Sequence, residues 1–321
     1  MTVHKVIALD LGGTQIRAAL FMGEKMIRRA ALNTDVSGGP EGVFTQIDFL
    51  IGKVLGNCTL SDVMGVGMAC AGPIDTELGI VTHIPTLPGW DGLPLVSELS
   101  GHLGLPVRVE SDCIAAALGE WRYGAGKGIR NMFYLSVSTG IGGGSVIDGK
   151  LLHGHKGMAA HIGHIRLAQQ GPQCNCGAIG CFEAFAAGTA LRKIAVSAAA
   201  KGASAFLERV SQTESLEAKH VFDGARAGDS YCCKLINEEA TYLGQGITAA
   251  IHMYSPEKVI IGGGLSHGFD LLDEGIHEII QRDAMPAFKH VSVHPAALAG
   301  DSGLWGASSM MLQSDANRTK A

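Results

Sequence analysis

Residues 5–21 read Lys5-Val6-Ile7-Ala8-Leu9-Asp10-Leu11-Gly12-Gly13-Thr14-Gln15-Ile16-Arg17-Ala18-Ala19-Leu20-Phe21. An apolar run of strand length ends in an aspartate, a glycine turn follows, and a second apolar run returns. Glycines let backbone amides close on an anion and point inward as a small nest, and Thr14 adds a hydroxyl donor. Asp10, at the strand end, is placed to hold a hydrated magnesium ion rather than to touch phosphate. A hairpin with an acidic flank would read the same way in isolation, so the decision rests on whether the pattern recurs.

It does recur. Residues 132–137 form an apolar run, Ser138-Thr139-Gly140-Ile141-Gly142-Gly143-Gly144 a turn, and 145–147 a returning strand. The two units lie roughly 130 residues apart without a tight sequence repeat, which suggests a duplicated architecture. Thr139 and Gly140 are placed to donate to a terminal phosphate. A third turn, Gly262-Gly263-Gly264 after the strand at 258–261, has only backbone donors and suits a nucleobase or ribose. No G-x-x-x-x-G-K-[ST] occurs, nor a G-x-G-x-x-G opening a helix after the first strand, which argues against a P-loop or dinucleotide fold.

Working outward, strands are expected at 26–33, 63–70, 107–109 and 291–293. Helical spacing runs through 41–55, 93–103, 112–123, 189–201, 205–210, 216–227, 230–254, 269–282 and 303–312, with a frayed tail from Ser314. Asp112 is expected to cap the helix it opens. Glycine turns between apolar strands and helices predict an α/β fold of two lobes and a cleft. At 321 residues the chain can bury two cores. A formal charge of −5 argues against general nucleic-acid or membrane-surface binding. No apolar run reaches the roughly 20 residues that span a bilayer, and no signal peptide is recognisable, so a cytoplasmic protein is expected.

Eight cysteines are present, and three crowd together as Cys174-x-Cys176-x4-Cys181. In an intracellular chain such a cluster reads as metal-binding rather than cross-linked. His164, ten residues upstream, is near enough to close a tetrahedron. Three thiolates and an imidazole leave no open position, so a zinc ion there would be structural. Cys232 and Cys233 fall in a helical pattern and read as packed free thiols.

Four motifs taken together, Asp10-Leu11-Gly12-Gly13-Thr14, Ser138–Gly144, His161-Ile162-Gly163-His164-Ile165 and Cys174–Cys181, resemble the ROK family of repressors, open reading frames and kinases. The resemblance runs from Ile7 to the last helix. It implies the two-lobed, actin-like (ribonuclease H-like) sugar kinase fold, with ATP and a sugar in the interdomain cleft. It also implies a first lobe of residues 1–118, carrying the phosphate turn, sugar loops and catalytic aspartate, and a second of 119–321, carrying the zinc loop and nucleotide turns.

By the same resemblance, Asp112 is the base that takes the hydroxyl proton, a role that phosphoryl transfer requires. Where the family usually reads Asn-Asp, this chain reads Ser111-Asp112, a shorter side chain that departs from the pattern. Gly72, Ser111, Asp112, His161, His164 and Glu183 are the expected sugar residues. Asp10, Gly12, Gly13, Thr14, Thr139, Gly140, Gly262, Gly263 and Gly264 are the expected ATP and Mg2+ residues, and His164, Cys174, Cys176 and Cys181 the Zn2+ ligands. Trp90 could pack on a sugar face or simply close a loop.

Most sugar kinases of the family read Glu-x-Gly-His where this chain has His161-Ile162-Gly163-His164. Its N-acetylmannosamine kinases are similar to this chain in carrying the histidine. An imidazole offers a donor and an acceptor where a carboxylate only accepts, which suits a sugar substituted at C2. The resemblance therefore implies ATP-dependent 6-phosphorylation of N-acetylmannosamine, feeding sialic-acid breakdown. A glucokinase, fructokinase or allose kinase is the alternative, and a sugar-responsive repressor a distant one, since repressors carry a helix-turn-helix before the phosphate turn. A homodimer is expected, with no nucleic-acid or membrane partner.

Overall fold

The computed structural model describes residues 4–84 and 86–318. In chain order it has β1 (Lys5–Leu11), β2 (Gln15–Met22), β3 (Lys25–Asn33), α1 (Gly39–Leu55), β4 (Val63–Cys70), β5 (Ile74–Asp75), β6 (Ile80–Val81), α2 (Leu95–Leu103), β7 (Val107–Ser111) and α3 (Asp112–Tyr123). There follow β8 (Met132–Val137), β9 (Ile141–Ile147), β10 (Lys150–Leu151), α4 (Phe182–Ala186), α5 (Gly188–Ala200), α6 (Ala205–Ser211), α7 (Ala218–Arg226) and α8 (Ser230–Tyr254). The last elements are β11 (Lys258–Gly262), α9 (Phe269–Asp283), β12 (Ser292–Pro295) and α10 (Ser302–Arg318).

Two compact units result. The first holds the chain through Gly128, the segment Leu151–Ala159, and the chain from Asp301 onward; the second holds Ile129–Lys150 and Ala160–Gly300. The boundary expected after residue 118 is corrected by this division. Residue 118 lies inside α3, and cutting there would break an i→i+4 ladder and expose one buried face of that helix. The return of α10 to the first unit was not expected either, and it has a steric cause. Gly67 on β4 lies so close to α10 that a Cβ there would sit 1.9 Å from the Ala307 carbonyl oxygen. A Cβ on Gly306 would likewise meet the Ala115 carbonyl of α3.

In the first unit the sheet order is β3-β2-β1-β4-β7, with β1, β4 and β7 parallel and β2 and β3 antiparallel to their neighbours. The pleat of β1 sends Ile7, Leu9 and Leu11 to one face, against Val43, Ile47 and Leu50 of α1. Val6 and Ala8 go to the other, against Leu304, Ala307 and Met311 of α10. Full burial of such a side chain contributes roughly 1.5–3 kcal/mol. Trp90 belongs to this core: it is 1% exposed and meets Phe44 edge-on at 6.4 Å, so it offers no face to a sugar.

The second unit repeats the order as β10-β9-β8-β11-β12, with β8, β11 and β12 parallel and β9 antiparallel to β8. The long α8 and α9 pack closely, and a Cβ on Gly244 would lie 2.6 Å from Ile279 Cβ. Most other expectations shift by a residue or two at helix and strand ends. Two differ by more. β9 begins at Ile141, so four residues of the turn expected at 138–144 pair with β8 as strand. α10 runs on to Arg318 instead of fraying at Ser314, and residues 319–321 lie outside the described residues. Among the described residues no helix is long and apolar enough to cross a membrane.

Candidate active site

Parallel strands end in register in the first unit. Leu11 pairs with Cys70 and Cys70 with Ser111, so the carboxyl ends of β1, β4 and β7 are level. Those ends carry Asp10, the Ala71-Gly72 loop and Ser111-Asp112. Open α/β sheets bind ligands in the crevice outside the carboxyl ends of their strands. The structure thus brings together Asp10, Gly12, Gly13, Thr14, Gly72, Ser111 and Asp112, each expected from sequence. A Cβ on Gly72 would lie 4.0 Å from Ser111 Oγ.

Asp10 is 5% exposed. Its cross-strand partner is Arg17, whose Nη2 lies 2.7 Å from Asp10 Oδ2. Burial pushes the Asp10 carboxyl up to about 6; Arg17 pulls it down, and the Asp112 and Asp301 charges push it up. Asp301 joins the group through Arg29 Nε at 2.7 Å and Arg17 Nη1 at 3.9 Å. The turn itself is closed by the Gly12 amide on the Gln15 carbonyl at 3.0 Å and by Thr34 Oγ1 on the Gly12 carbonyl at 2.7 Å. Thr14 is left exposed.

Asp112 is the first residue of α3; Ser111, not Asp112, occupies the cap position, and its side chain makes no capping bond. Asp112 Oδ1 accepts from the Cys113 amide at 2.7 Å and from Ser111 Oγ at 3.4 Å. The helix N-terminus favours the charged carboxylate there. Just before it, Glu110 is buried, and its Oε1 accepts the Ser111 amide at 2.9 Å.

In the second unit the turn after β8 meets the start of α5. The Gly188 amide donates to the Ser138 carbonyl and Thr189 Oγ1 to the Thr139 carbonyl, each at 2.8 Å. Thr139 is exposed. Glu183 Oε2 accepts the Ile141 amide at 2.9 Å, and a Cβ on Gly140 would clash with that carboxylate. The glycines after β11 divide: Gly262 is buried under Tyr134, whereas Gly264 is exposed. Gly263 needs its freedom, with φ of 83° and the Val137 carbonyl where a Cβ would stand. A cavity of about 330 Å3 borders Cys174, Glu183, Thr189, Lys193 and Tyr242.

His164, Cys174, Cys176 and Cys181 bring one ligand atom each within 4.8 Å of one another. Cys174 Sγ lies 3.8 Å from His164 Nδ1, and Cys176 Sγ 3.7 Å from Cys181 Sγ. Tetrahedral zinc with sulfur bonds of ~2.3 Å sets its sulfurs roughly 3.8 Å apart, so these spacings fit the ion. They do not fit a disulfide, whose sulfurs are ~2.05 Å apart. His161 is exposed and precedes a 3-10 turn, Ile162–His164, closed by the His164 amide on its own carbonyl at 3.1 Å. Sequence reasoning missed Arg17, Glu110 and Asp301. Arg17 alone had a signal: a cation seven residues after Asp10 on a returning strand lands opposite it.

A family model described as the ROK family matches residues 6–314. A glucokinase from Thermotoga maritima is 36% identical over 310 residues, covering 96% of this chain and 97% of its own length. An N-acetylmannosamine kinase from Citrobacter koseri is 33% identical over 312 residues, covering 96% and 99%. A ROK family glucokinase from Streptomyces griseus, solved in complex with glucose and AMPPNP, aligns with a TM-score of 0.85 at 32% identity over 96% of this chain and 99% of its own. The chain has the actin-like α/β fold of sugar kinases. It belongs to the ROK family.

Proposed function

We propose that this protein is an ATP-dependent hexose kinase that phosphorylates a primary hydroxyl, with glucose as its first candidate substrate. The observation that carries the reading is the level edge of β1, β4 and β7, where Asp10, Gly72 and Asp112 meet. Asp112 takes the proton of the attacking hydroxyl, with Ser111 Oγ and the Cys113 amide holding its carboxylate. The Gly13 backbone amide and Thr14 Oγ1 hold phosphate oxygens, with Gly12 closing the turn that presents them; Thr139 and Gly140 offer a second set of phosphate donors, and Gly263 and Gly264 lie along the nucleoside. Asp10 would hold hydrated Mg2+, which neutralises charge between the β- and γ-phosphates. His161 and His164 exchange hydrogen bonds with sugar hydroxyls, Glu183 accepts from them, and Gly72 would let a sugar approach its backbone closely.

His164, Cys174, Cys176 and Cys181 would hold Zn2+, which supplies a rigid four-way link between the turn bearing His161 and the helix bearing Glu183. The glucokinases' greater identity favours glucose over the N-acetylmannosamine expected from sequence. N-acetylmannosamine stays as the second reading because an exposed histidine, not a carboxylate, stands at position 161. We place the protein in the cytoplasm, where ATP and reduced thiols coexist, as a homodimer; light scattering on the eluted protein reads its mass.

The test is ADP release with magnesium-ATP against glucose, mannose, fructose, allose, N-acetylglucosamine and N-acetylmannosamine. Glucose is expected to give the highest kcat/KM, and Asp112→Asn to lower kcat about a thousandfold with sugar binding kept. Higher kcat/KM for N-acetylmannosamine would move the reading to the second substrate. No turnover of any sugar would sink it.

A further inference from the structure

One short segment leaves the second unit and returns to it. Leu151–Ala159 belongs to the first unit, although the chain on both sides of it belongs to the second. Two side chains pin it there, each to a carboxylate nearly out of water. His153 Nε2 lies 3.0 Å from Glu110 Oε2, and Glu110 is 5% exposed at its side chain. Lys156 Nζ lies 2.9 Å from Asp75 Oδ2, and Asp75 is 4% exposed at its side chain. Both cations sit half in solvent, so the segment lies over the carboxylates as a cover.

The backbone is tied as well. The Lys156 carbonyl accepts the Thr76 amide at 3.1 Å. Gly157, with φ of 76°, presses so close to Thr76 that a Cβ would be 2.3 Å from its Oγ1. Lys156 itself is in the left-handed region, with φ of 59°, a conformation that side chains with a Cβ avoid unless held. The Ala159 amide closes the segment on the His153 carbonyl at 3.0 Å. Glu110 pulls His153 above the ordinary imidazole range, and Lys156 holds Asp75 below the usual carboxylate range.

What makes this more than a surface contact is the position of the two carboxylates. Asp75 ends β5, three residues beyond Gly72 of the loop after β4. Glu110 precedes Asp112 by two, and its second oxygen holds the Ser111 amide at 2.9 Å. One ion pair therefore fixes the proposed sugar loop and the other fixes the backbone leading into the proposed base. A buried carboxylate that loses its cation must reorient toward water or other donors. For Glu110 that movement releases the Ser111 amide and with it the setting of Asp112.

We infer that Leu151–Ala159 is an ionic strap, in which His153 is a positioning residue for Asp112 and Lys156 a positioning residue for the Gly72 loop. The inference rests on the reading of Asp112 as base and Gly72 as a sugar contact. It predicts that the two anchors fail in different ways. A displaced base slows chemistry, because small misplacements of reacting groups reduce rate steeply. A displaced sugar loop weakens binding.

The experiment is steady-state kinetics of the full chain with magnesium-ATP and glucose, or N-acetylmannosamine should that be the sugar turned over. His153→Ala, His153→Arg, Glu110→Gln, Lys156→Met and the double variant His153→Ala/Glu110→Gln are compared, with thermal melts of each. His153→Ala is expected to lower kcat about tenfold with the KM for ATP within about twofold. His153→Arg keeps the cation and should recover at least half the rate. The double variant should be no slower than the worse single one, because the pair acts as a unit. Lys156→Met should raise the sugar KM severalfold with a smaller change in kcat.

His153→Ala and Lys156→Met both within twofold of wild type would overturn the strap. So would His153→Arg no better than His153→Ala. If His153→Ala does not fold, His153→Arg and Glu110→Gln carry the same comparison. Asp112→Asn separates the two readings: full activity there removes the base assignment and the role of His153 with it, while an inactive Asp112→Asn beside a silent His153→Ala and a silent Lys156→Met removes the strap and leaves the base assignment standing.

Discussion

The two sheets share one strand order and differ at the position that matters most. In the first unit the next-to-last pair of the β1–β2 ladder is Asp10 with Arg17; in the second, the matching pair of β8 and β9 is Ser136 with Gly142. One copy of the hairpin holds a buried carboxylate against a guanidinium at 2.7 Å. The other holds small residues, and a carboxylate from α4, Glu183, takes the Ile141 amide. Around the first hairpin the organising forces are ion pairs: Asp10–Arg17, Asp301–Arg29, Glu110–His153 and Asp75–Lys156. Around the second they are backbone hydrogen bonds and the cluster of three thiols and one imidazole. The same scaffold thus carries a hairpin held by charges in one unit and one held by backbone hydrogen bonds and small residues in the other.

The contrast can be broken most forcefully at the thiols. Cys174→Ser should remove the bound zinc by elemental analysis. It should also lower unfolding free energy by about 4 kcal/mol if the wild type sits at metal a thousandfold above its Kd. A variant that keeps a full equivalent of zinc would end the assignment.

The next effect belongs to the first unit. Arg17→Met leaves Asp10 buried without its main cation and should cost about 3 kcal/mol in urea unfolding at pH 7.5. Asp10→Ser/Arg17→Met, which imitates the uncharged pair of the second hairpin, should regain most of that stability while the kinase stays inactive. If the double variant is as unstable as Arg17→Met, the two residues are not coupled and the contrast loses its meaning.

The smallest effect is one of pH. His153 has a raised folded pKa, so its pairing with Glu110 stabilises the fold fully below the ordinary imidazole value near 6.5. That contribution is lost as pH rises through the raised value. The stability advantage of wild type over His153→Gln should therefore shrink between pH 5.5 and 8.5. The change should be less than about 1 kcal/mol, because the imidazole is half exposed and screened. An advantage that grows with pH would contradict the charged pair. The advantage of wild type over Cys174→Ser should run the other way and grow with pH, because thiols and imidazole hold zinc only when deprotonated.

Local chemistry was legible in the residues wherever it depended on neighbours in the chain. The glycine turns, the Cys-x-Cys-x4-Cys loop and the alternation of β1 need only short stretches to be recognised, since turn geometry, ligand spacing and pleat are short-range properties. The same holds for α8, whose 25 residues run between Asp229, which caps it through the Cys232 amide, and Ser255 in a left-handed conformation. Trp90 was misread because a Pro-Gly-Trp stretch looks like a loop tip, and only packing against Phe44 shows it to be core.

The amino-acid sequence by itself determined the family, the α/β class, the phosphate-type turns and the identity of Asp112, Glu183 and the four metal ligands as candidates. Tertiary structure alone decided which distant charges meet: Asp10 with Arg17 and Asp301, Glu110 with His153, Asp75 with Lys156. It also decided that α10 closes the first unit rather than the second. The physical reason is common to both. Ion pairs and close helix–strand packing are made between residues far apart in the chain, and their partners are chosen by strand register and steric fit, which no short window of residues contains.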